Sequence, residues 1–417
     1  MLGDGKPDFA QESFVFLADQ ANMPYGNYPS LKRQKFLKQL IVKDAEFLMG
    51  KHFYLSLNAV KVQNNKPPVK AIVIACNTAT AYGQDNIRQF ISRAGLDIKV
   101  IGVIDAGARG SLTILKDGKP ATIGVVPTRG TVLSQAYPRA IRENAKRLGL
   151  KQRIQVVQQG AVGLAGSIDG DPNFINRRTR TNRPRKEYKG PSIGSSIAKI
   201  DLAILSRYGF DFSQNRMLYS GPQTKPTALQ INSVRNYIAY HLISLLESLR
   251  ASDNPQPLRA IILGCTHFPF YKESFRKALL RIYDLQENGK YVYRDVMAEK
   301  IELVDPAYFT ARELYRSLAA DARFRRVTGK LKGVCRGEFY ITMPNRSFGG
   351  VKLNDRGGFT YDYKYGRKVG HPDGDYRCVP LIPSVLSSDV SQRLRNRVPA
   401  VWKLLSEFKG KYKVRVK

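Results

Sequence analysis

The chain has 417 residues, of which 43% are hydrophobic, and its 68 lysines and arginines outnumber 34 aspartates and glutamates to give a formal net charge of +34. The length suits two domains, and four cysteines in such a chain exclude a disulfide-rich scaffold. No apolar run approaches the roughly 20 residues that cross a bilayer, and the first residues show no signal-peptide pattern, so we expect a cytoplasmic protein with no membrane partner.

Short apolar runs alternate with helical patterns through the first 160 residues. The apolar runs predict strands at 13–19, 70–76, 99–105, 121–127 and 153–160. The helical patterns predict helices at 30–50, 78–95 and 134–149. Strands that alternate with helices are typical of βαβ units with a mainly parallel sheet, so the pattern indicates an α/β fold.

The alternation stops at 169–196, a stretch rich in arginine, asparagine, glycine and proline with almost no apolar periodicity. Such a composition predicts an exposed, mobile insertion. Its basic side chains make 177–189 a candidate contact for polyanions; they are Arg177, Arg178, Arg180, Arg183, Arg185, Lys186 and Lys189. Aromatic residues are sparse here, with only Phe174 and Tyr188, so a solvated loop is favoured over a nucleic-acid site.

Regular patterns return after the insertion. We predict helices at 228–252, 267–285 and 308–320, and strands at 259–265 and 301–307. Beyond about residue 330 the chain is rich in glycine and tyrosine, which predicts strands and turns. The predicted domains are a first α/β domain of 1–100 plus 306–330, a second α/β domain of 101–305 that carries the insertion, and an appended C-terminal segment of 331–417.

Two cysteines share one local setting. Residues 71–78 read AIVIACNT and residues 260–267 read AIILGCTH, so Cys76 and Cys265 each end a predicted strand and lead into a helix. Ligands of open α/β sheets bind beyond the carboxyl ends of the strands. The N–H groups and the dipole of a helix N-terminus favour a thiolate and can bind a carboxylate. Short hydrogen-bonding side chains follow the two thiols: Asn77, Thr78 and Thr266.

A pair of thiols suits the inversion of a stereocentre. One group removes a Cα proton from one face and another delivers a proton to the opposite face, and a thiolate and a thiol can exchange these roles without a cofactor. Other interpretations stay open: small core residues, a metal site of Cys265 and His267 with Cys76, or a hydrolase with Cys265 as the nucleophile. Cys335 and Cys378 have no recognisable context and are interpreted as structural.

The motifs ACNTA at 75–79 and GCTHFP at 264–269 together resemble the aspartate/glutamate racemase superfamily, and the glutamate racemase family most closely. Weaker matches follow in the family's order: ADQANMPYG at 18–26, GVVPTRGTVLSQAY at 124–137, QGAVGLAGSID at 159–169, VDPAYFTARELYRSL at 304–318 and GEFYITMPN at 337–345. The family opens with a strand that ends in DSGxGG, and no such motif occurs in this chain. The basic insertion and the chain beyond 345 also have no counterpart in the family.

The resemblance implies an isomerase of two three-layer α/β domains, with mainly parallel sheets, that face each other across a cleft. It implies cofactor-independent interconversion of L- and D-glutamate, which supplies D-glutamate for peptidoglycan. Cys76 and Cys265 would form the acid/base pair. His267 would assist Cys265, and Asp169 stands where the family has a carboxylate. The residues expected to line the glutamate pocket are Pro24, Tyr25, Gly26, Asn77, Thr78, Thr128, Thr131 and Thr266.

Two other functions stay open at this point. Another racemase of the superfamily, for aspartate or a hydantoin, is compatible with the motifs because the sequence does not fix the size of the pocket. A non-catalytic basic paralogue that binds polyanions is compatible with the net charge of +34. A homodimer is a further expectation.

Overall fold

The computed structural model describes residues 8–115, 117–321, 334–355 and 357–410 of the chain. The protein forms two compact units: Met1–Gly102 and Thr310–Lys417 belong to the first, and Val103–Phe309 form the second. The described part of 331–417, which the sequence sets apart as an appended segment, therefore lies in the first unit.

The regular elements lie close to the apolar runs and helical patterns of the sequence. The strands are β1 (Gln11–Ala18), β2 (Phe53–Tyr54), β3 (Val62–Gln63), β4 (Ala71–Ile74), β5 (Lys99–Gly102), β6 (Ala121–Pro127), β7 (Ile154–Gln158), β8 (Met217–Ser220), β9 (Ala228–Ile231), β10 (Leu258–Gly264), β11 (Gln286–Glu287), β12 (Lys290–Tyr291), β13 (Met297–Val304), β14 (Val334–Pro344) and β15 (Tyr376–Pro380). The helices are α1 (Asn27–Ser30), α2 (Gln34–Met49), α3 (Asn77–Arg93), α4 (Val103–Leu112), α5 (Arg129–Ser134), α6 (Ala136–Arg147), α7 (Leu164–Asp169), α8 (Leu205–Tyr208), α9 (Val234–Arg250), α10 (Lys272–Tyr283), α11 (Pro306–Ala319), α12 (Tyr361–Gly366), α13 (Ser388–Arg397) and α14 (Pro399–Glu407). Within the described ranges, no helix is long and apolar enough to cross a bilayer.

The second unit is built on a four-stranded sheet with the strand order β13-β10-β6-β7, in which all neighbours are parallel. Every residue of β6 is buried, as expected for a central parallel strand that is covered on both faces. Helix α4 contacts β10 and α6, and helix α9 contacts β7 and α10. The register pairs Gly264 at the end of β10 with Pro127 at the end of β6. The residues that follow these two strands therefore leave the sheet at one edge.

The first unit contains two parallel strand pairs. β1 runs parallel to β14, with Gln11 opposite Val334 and Ala18 opposite Ile341, and β15 joins β14 in the antiparallel sense. β4 and β5 form a separate parallel pair, and α3 contacts both of these strands as well as α2. Together with the sheet of the second unit, these pairings confirm the predicted α/β fold with mainly parallel sheets.

One predicted helix is divided in the structure, and another begins two residues later than predicted. The first residues of the predicted helix 228–252 form β9, which pairs with β8, and α9 begins only after Ser233. The Ser233 hydroxyl accepts a hydrogen bond from the N–H of Asn236, which satisfies one of the donors that a helix start leaves without a partner. The predicted helix 134–149 forms as α6, and Gln135, with a left-handed φ of 54°, separates it from α5, which ends at Ser134.

The stretch 169–196, predicted to be an exposed, mobile insertion, makes specific hydrogen bonds in the structure, and its mobility stays a prediction. After the end of α7 the stretch has no helix or strand, but hydrogen bonds anchor it to the second unit. The side chain of Asn232 accepts a hydrogen bond from the N–H of Asn176 at 2.7 Å and donates one to its carbonyl at 3.1 Å. The hydroxyl of Tyr188 lies 2.9 Å from that of the fully buried Tyr237. Polar anchors of this kind leave no apolar periodicity, so composition alone could not distinguish the stretch from a mobile loop.

Candidate active site

Cys265 lies directly after β10, at the sheet edge where β6 also ends, and it is 8% exposed. Gly264 permits this close packing, because a Cβ there would lie 2.8 Å from the Cβ of Pro127 and 3.3 Å from the ring of Tyr137. Tyr137 is fully buried, and burial, with the charge of Cys265 as a smaller cause, raises the pKa of its hydroxyl. The residue did not stand out in the sequence; its only signal was its place at the end of the motif at 124–137.

His267 joins the thiol of Cys265 to the carboxylate of Asp169. Its Nδ1 lies 3.4 Å from the sulfur of Cys265, and its Nε2 lies 3.1 Å from Oδ2 of Asp169. Asp169 is the last residue of α7 and Cys265 follows β10, so two elements bring these groups together. The structure thus assembles a thiol, an imidazole and a carboxylate in one continuous line of contacts.

The charge of His267 is controlled by its two neighbours. The hydrogen bond to Asp169 and then the contact with Cys265 raise the pKa of His267 to about 10, against an opposing effect of burial. The side chains of His267 and Asp169 are 33% and 55% exposed, so solvent weakens this ion pair relative to a buried one. Asp169 and Cys265 both raise the pKa of His267, and the ring is therefore an imidazolium at neutral pH. In that state Nε2–H donates to Asp169 and Nδ1–H donates to the sulfur.

Three of the predicted pocket residues lie at the same edge of the second unit's sheet as Cys265. Thr128 caps α5 immediately after β6, and its hydroxyl oxygen lies 3.2 Å from that of Thr131. Thr131 is fully buried, Thr128 is half-buried, and Thr266 is exposed. Their contact with a substrate stays a prediction.

Cys76 follows β4 in the first unit and caps α3. Its carbonyl accepts hydrogen bonds from the N–H of Thr80 at 2.8 Å and from the Thr80 hydroxyl at 2.9 Å. Asn77 and Thr78 form the first turn of α3 and are 5% and 3% exposed, while Cys76 is half-buried. The two cysteines thus lie in different units, and each follows a parallel strand.

Pro24, Tyr25 and Gly26 lie in the turn after β1, where Tyr25 is only 4% exposed. The Tyr25 hydroxyl contacts carboxylate oxygens of Asp19 and of Asp44, the latter at 2.6 Å. A hydroxyl has one proton to donate, so the second contact requires a carboxyl group that itself carries a proton. Burial raises the pKa of Asp19, and burial with the charge of Asp19 raises the pKa of Asp44 further, well above its usual range, so we expect the proton to lie on Asp44.

Comparison with known proteins adds to this geometry. No protein-family model matches the chain. The chain is 39% identical over 132 residues to the glutamate racemase of Pediococcus pentosaceus, which covers 32% of this chain and 39% of that protein. It is 25% identical over 303 residues to the glutamate racemase of Oceanobacillus iheyensis, which covers 73% of this chain and 69% of that protein. The chain is homologous to the glutamate racemases.

Several of these matches cover less than half of the related protein. The chain spans about two-fifths of the length of several curated glutamate racemases, 39% for that of Pediococcus pentosaceus and 35% for that of Oenococcus oeni. Among solved structures, it is 21% identical to a glutamate racemase from Bacillus anthracis, with a TM-score of 0.43 and 79% of each chain covered. It is also 21% identical to that of Francisella tularensis in complex with D-glutamate, with a TM-score of 0.41 and 87% of each chain covered. The activity and the substrate are therefore proposals for this chain.

Sequence reasoning missed the polar network that surrounds Asp19. Arg367 is 4% exposed, and its guanidinium donates to the side-chain oxygen of Asn22 at 2.6 Å and to Asp375 at 2.8 Å. Asn22 in turn donates to Asp19 at 2.7 Å. Arg367 and Asn22 are 345 positions apart, and no pattern in a single sequence links residues at that separation. The network fixes the start of the motif at 18–26 to the C-terminal segment.

The sequence also left open a metal site formed by Cys265, His267 and Cys76. Among the residues that the structure describes, no group of three or more histidine, cysteine, aspartate or glutamate side chains is arranged to hold a metal ion. Both ring nitrogens of His267 are already in contact, one with Cys265 and the other with Asp169.

Replacing Asp44 with asparagine is expected to stabilise the protein at pH 8, by about 1 kcal/mol. A carboxyl group with a raised pKa in the folded state contributes stability that is complete below its ordinary pKa and is lost as pH rises through the raised pKa. The asparagine amide has the shape of the protonated carboxyl group. Because it does not ionise, it loses no stability as pH rises. Urea denaturation at pH 8 and at pH 4.5 measures the effect, which should shrink at the lower pH.

Asp85→Asn is the control for this change, because the side chain of Asp85 is 89% exposed. It removes the same charge and should leave the free energy of unfolding within about 0.5 kcal/mol of the parent. An Asp44→Asn variant that is less stable than the parent at pH 8 would mean that Asp44 is ionised and acts as an acceptor.

Proposed function

We propose that this chain is a glutamate racemase, an isomerase that interconverts L- and D-glutamate without a cofactor. The observation that carries the proposal is the line of contacts from the sulfur of Cys265 through His267 to Asp169, at 3.4 and 3.1 Å. Homology to glutamate racemases over as many as 303 residues supports it. Cys76, which follows a parallel strand of the first unit, is the second thiol that the inversion requires.

The reaction proposed for the two thiols balances without any co-reactant. The thiolate of one cysteine takes the Cα proton, so that a C–H bond breaks and an S–H bond forms. The thiol of the other cysteine then gives its proton to the opposite face of Cα, so that its S–H bond breaks and a new C–H bond forms. The reverse reaction exchanges the roles of Cys76 and Cys265, which is why both must be groups of the same acidity.

His267 supports this chemistry by keeping a positive charge beside Cys265. A cation in contact with a sulfur favours its thiolate form, the form that accepts a proton. Because Asp169 raises the pKa of His267 to about 10, the imidazolium keeps its own protons through the neutral range. In this proposal the sulfur exchanges protons with the substrate, and His267 and Asp169 set its charge state.

The substrate must be held tightly, since the Cα proton of an amino acid is a very weak acid. In the first unit, Asn77 and Thr78 lie in the first turn of α3, where N–H groups and the helix dipole favour a carboxylate. In the second unit, the hydroxyl-bearing side chains at the edge of the sheet are proposed to hold polar groups of glutamate; they are Thr128, Thr131 and Thr266. Pro24, Tyr25 and Gly26 of the first unit are also proposed to contact glutamate.

Isotope exchange in deuterium oxide tests the proposed function. Purified protein is incubated with L-glutamate, and the Cα proton is followed by NMR together with the optical rotation. We expect the Cα proton signal and the optical rotation both to disappear, and D-glutamate formed early to carry deuterium while the recovered L-glutamate does not. That early difference is the signature of two separate proton donors and acceptors.

Aspartate and hydantoins serve as comparison substrates in the same assay. Faster turnover of either would assign the chain to another reaction of the superfamily. Absence of exchange with all of them would end the racemase proposal.

Wider consequences follow if the racemase activity is present. The D-glutamate formed would supply peptidoglycan synthesis in the bacterial cytoplasm, and we propose that the protein acts there, as a homodimer. The basic stretch 177–189 is proposed to make non-specific contacts with polyanions, which should weaken steeply as salt concentration rises.

A further inference from the structure

The carboxylate of Asp169 is positioned by the end of a short helix. Asp169 is the final residue of α7, and Gly170 terminates the helix with a left-handed φ of 77°. The N–H of Gly170 bonds to the carbonyl of Ser167 at 3.2 Å. A six-residue helix has little stability of its own. The place of the carboxylate therefore depends on what packs against α7 and what caps its end.

Arg177 caps this end of α7. Its Nη2 donates to the carbonyl of Ser167 at 3.3 Å and to that of Ile168 at 3.2 Å, the two carbonyls immediately before Asp169. The last carbonyls of a helix have no partner within the helix, and a cation there also interacts favourably with the helix dipole. Arg177 thus fixes the peptide groups from which the Asp169 side chain projects.

Phe174 fixes the side of the same helix. Its ring lies so close to Gly166 that a Cβ at that position would collide with it, so the aromatic ring rests directly on the backbone of α7. The carbonyl of Phe174 accepts a hydrogen bond at 2.9 Å from the hydroxyl of Tyr237, which is fully buried on α9. Helix α7 is therefore held between the core and the chain that follows it.

The chain beyond Arg177 is also held in place. The guanidinium of Arg185 donates to the carbonyl of Pro172. The side chain of Gln230 on β9 accepts a hydrogen bond from the N–H of Arg185 at 2.9 Å and donates one to its carbonyl at 2.8 Å. At least two arginines of the basic cluster therefore bond to carbonyl groups of the protein itself.

We propose that residues 171–185 form a brace for α7, and that Arg177 is a positioning residue that holds Asp169 against His267. This brace gives the arginine-rich insertion a role in the chemistry of Cys265, and in that respect it rests on the proposed racemase function. Without the brace α7 frays at its last turn and Asp169 moves away from His267. The imidazolium beside the sulfur then loses its proton at a lower pH than in the parent.

The experiment compares Arg177→Gln with Arg178→Gln in the full chain. Arg178 is the adjacent exposed arginine, so the two variants carry the same charge change in the same segment. The titration of His267 is followed by NMR; the chain has only 4 histidines, and a His267→Gln variant assigns the signal. We expect the Arg177→Gln change to lower the pKa of His267 by about 0.5 to 1 unit, and the Arg178→Gln change to leave it in place. Arg177→Lys should restore most of the difference, since an ammonium group can also donate to carbonyls.

The direction of the shift separates positioning from simple electrostatics. The charged neighbours that act on His267 are Asp169 and Cys265. Removal of a nearby cation with no change in geometry would raise the pKa of His267, because the imidazolium would be repelled less. A raised or unchanged pKa in Arg177→Gln, or an equal shift in Arg178→Gln, would overturn the proposal.

The titration needs no turnover, so it decides the positioning role even if the chain proves not to racemise glutamate. If it does racemise glutamate, kcat should fall roughly tenfold in Arg177→Gln with little change in KM, since Arg177 orients a catalytic group and does not hold substrate. Phe174→Leu provides a second test through the other half of the brace, and it should also lower the pKa of His267. An unchanged titration in Phe174→Leu would count against the brace even if Arg177→Gln failed to fold.

Discussion

Replacement of Cys265 or of Cys76 with serine is expected to lower the rate of glutamate racemisation by roughly 10²- to 10⁴-fold for each single change. A hydroxyl group is a far weaker acid than a thiol, so serine supplies almost no anion to remove the Cα proton near neutral pH. The inversion needs both groups in every turnover, because one removes the proton and the other returns it. Initial rates from L- and from D-glutamate, followed by circular dichroism, measure the effect in both directions.

The other two cysteines provide matched controls. Cys335 lies on β14 and Cys378 on β15, and burial is the main cause that raises the pKa of each thiol. Both side chains are half-buried, and a thiol with a raised pKa stays protonated near neutral pH. Their serine variants should racemise glutamate at close to the parent rate. Full activity in Cys76→Ser with loss in Cys265→Ser would show that one thiol suffices, and the two-thiol mechanism would be wrong.

The positions of the two cysteines were predictable because short-range patterns determine them. The apolar runs before Cys76 and Cys265 form β4 and β10, and each run stops where its strand leaves the sheet. A parallel strand that is buried on both faces, as β10 is after Arg259, leaves a continuous apolar signal that a single sequence displays. The run that forms β4 is also apolar, although Val73 is 39% exposed. The assistance of Cys265 by His267 was predicted only through the resemblance to the racemase family, although the two residues are two positions apart.

The partners of these groups were less predictable because they lie far apart along the chain or make polar contacts. Asp169 was selected only through the resemblance to the racemase family, as no local pattern pairs it with His267, 98 positions later. The anchors of the insertion join Asn176 to Asn232 through amide hydrogen bonds, which leave no periodic signal. Composition therefore predicted the absence of helices and strands in 170–196, but it could not predict these anchors.

Replacement of Asp169 with asparagine is expected to make the rate of racemisation depend on pH between about pH 6 and pH 9, where we expect little dependence in the parent. In the parent, Asp169 is the largest cause of the raised pKa of His267, which lies at about 10. The amide removes the negative charge but keeps the shape, so the pKa of His267 should fall toward its ordinary value of about 6.5. We expect kcat to fall on the order of 10- to 100-fold between pH 6 and pH 9 in the variant, because the imidazolium beside Cys265 is lost.

The raised pKa of His267 also makes the stability of the folded parent depend on pH. A histidine with a raised pKa in the folded state contributes stability that is complete below about pH 6.5 and is lost as pH rises through about 10. The parent should therefore exceed Asp169→Asn in stability most clearly near pH 6, with a difference that shrinks toward pH 10 and stays small, because the ion pair is partly exposed. Asp253→Asn, a change at an exposed aspartate of the same unit, is the control and should alter neither profile. An activity profile in Asp169→Asn that is parallel to that of the parent would mean that the charge of His267 does not govern the thiol.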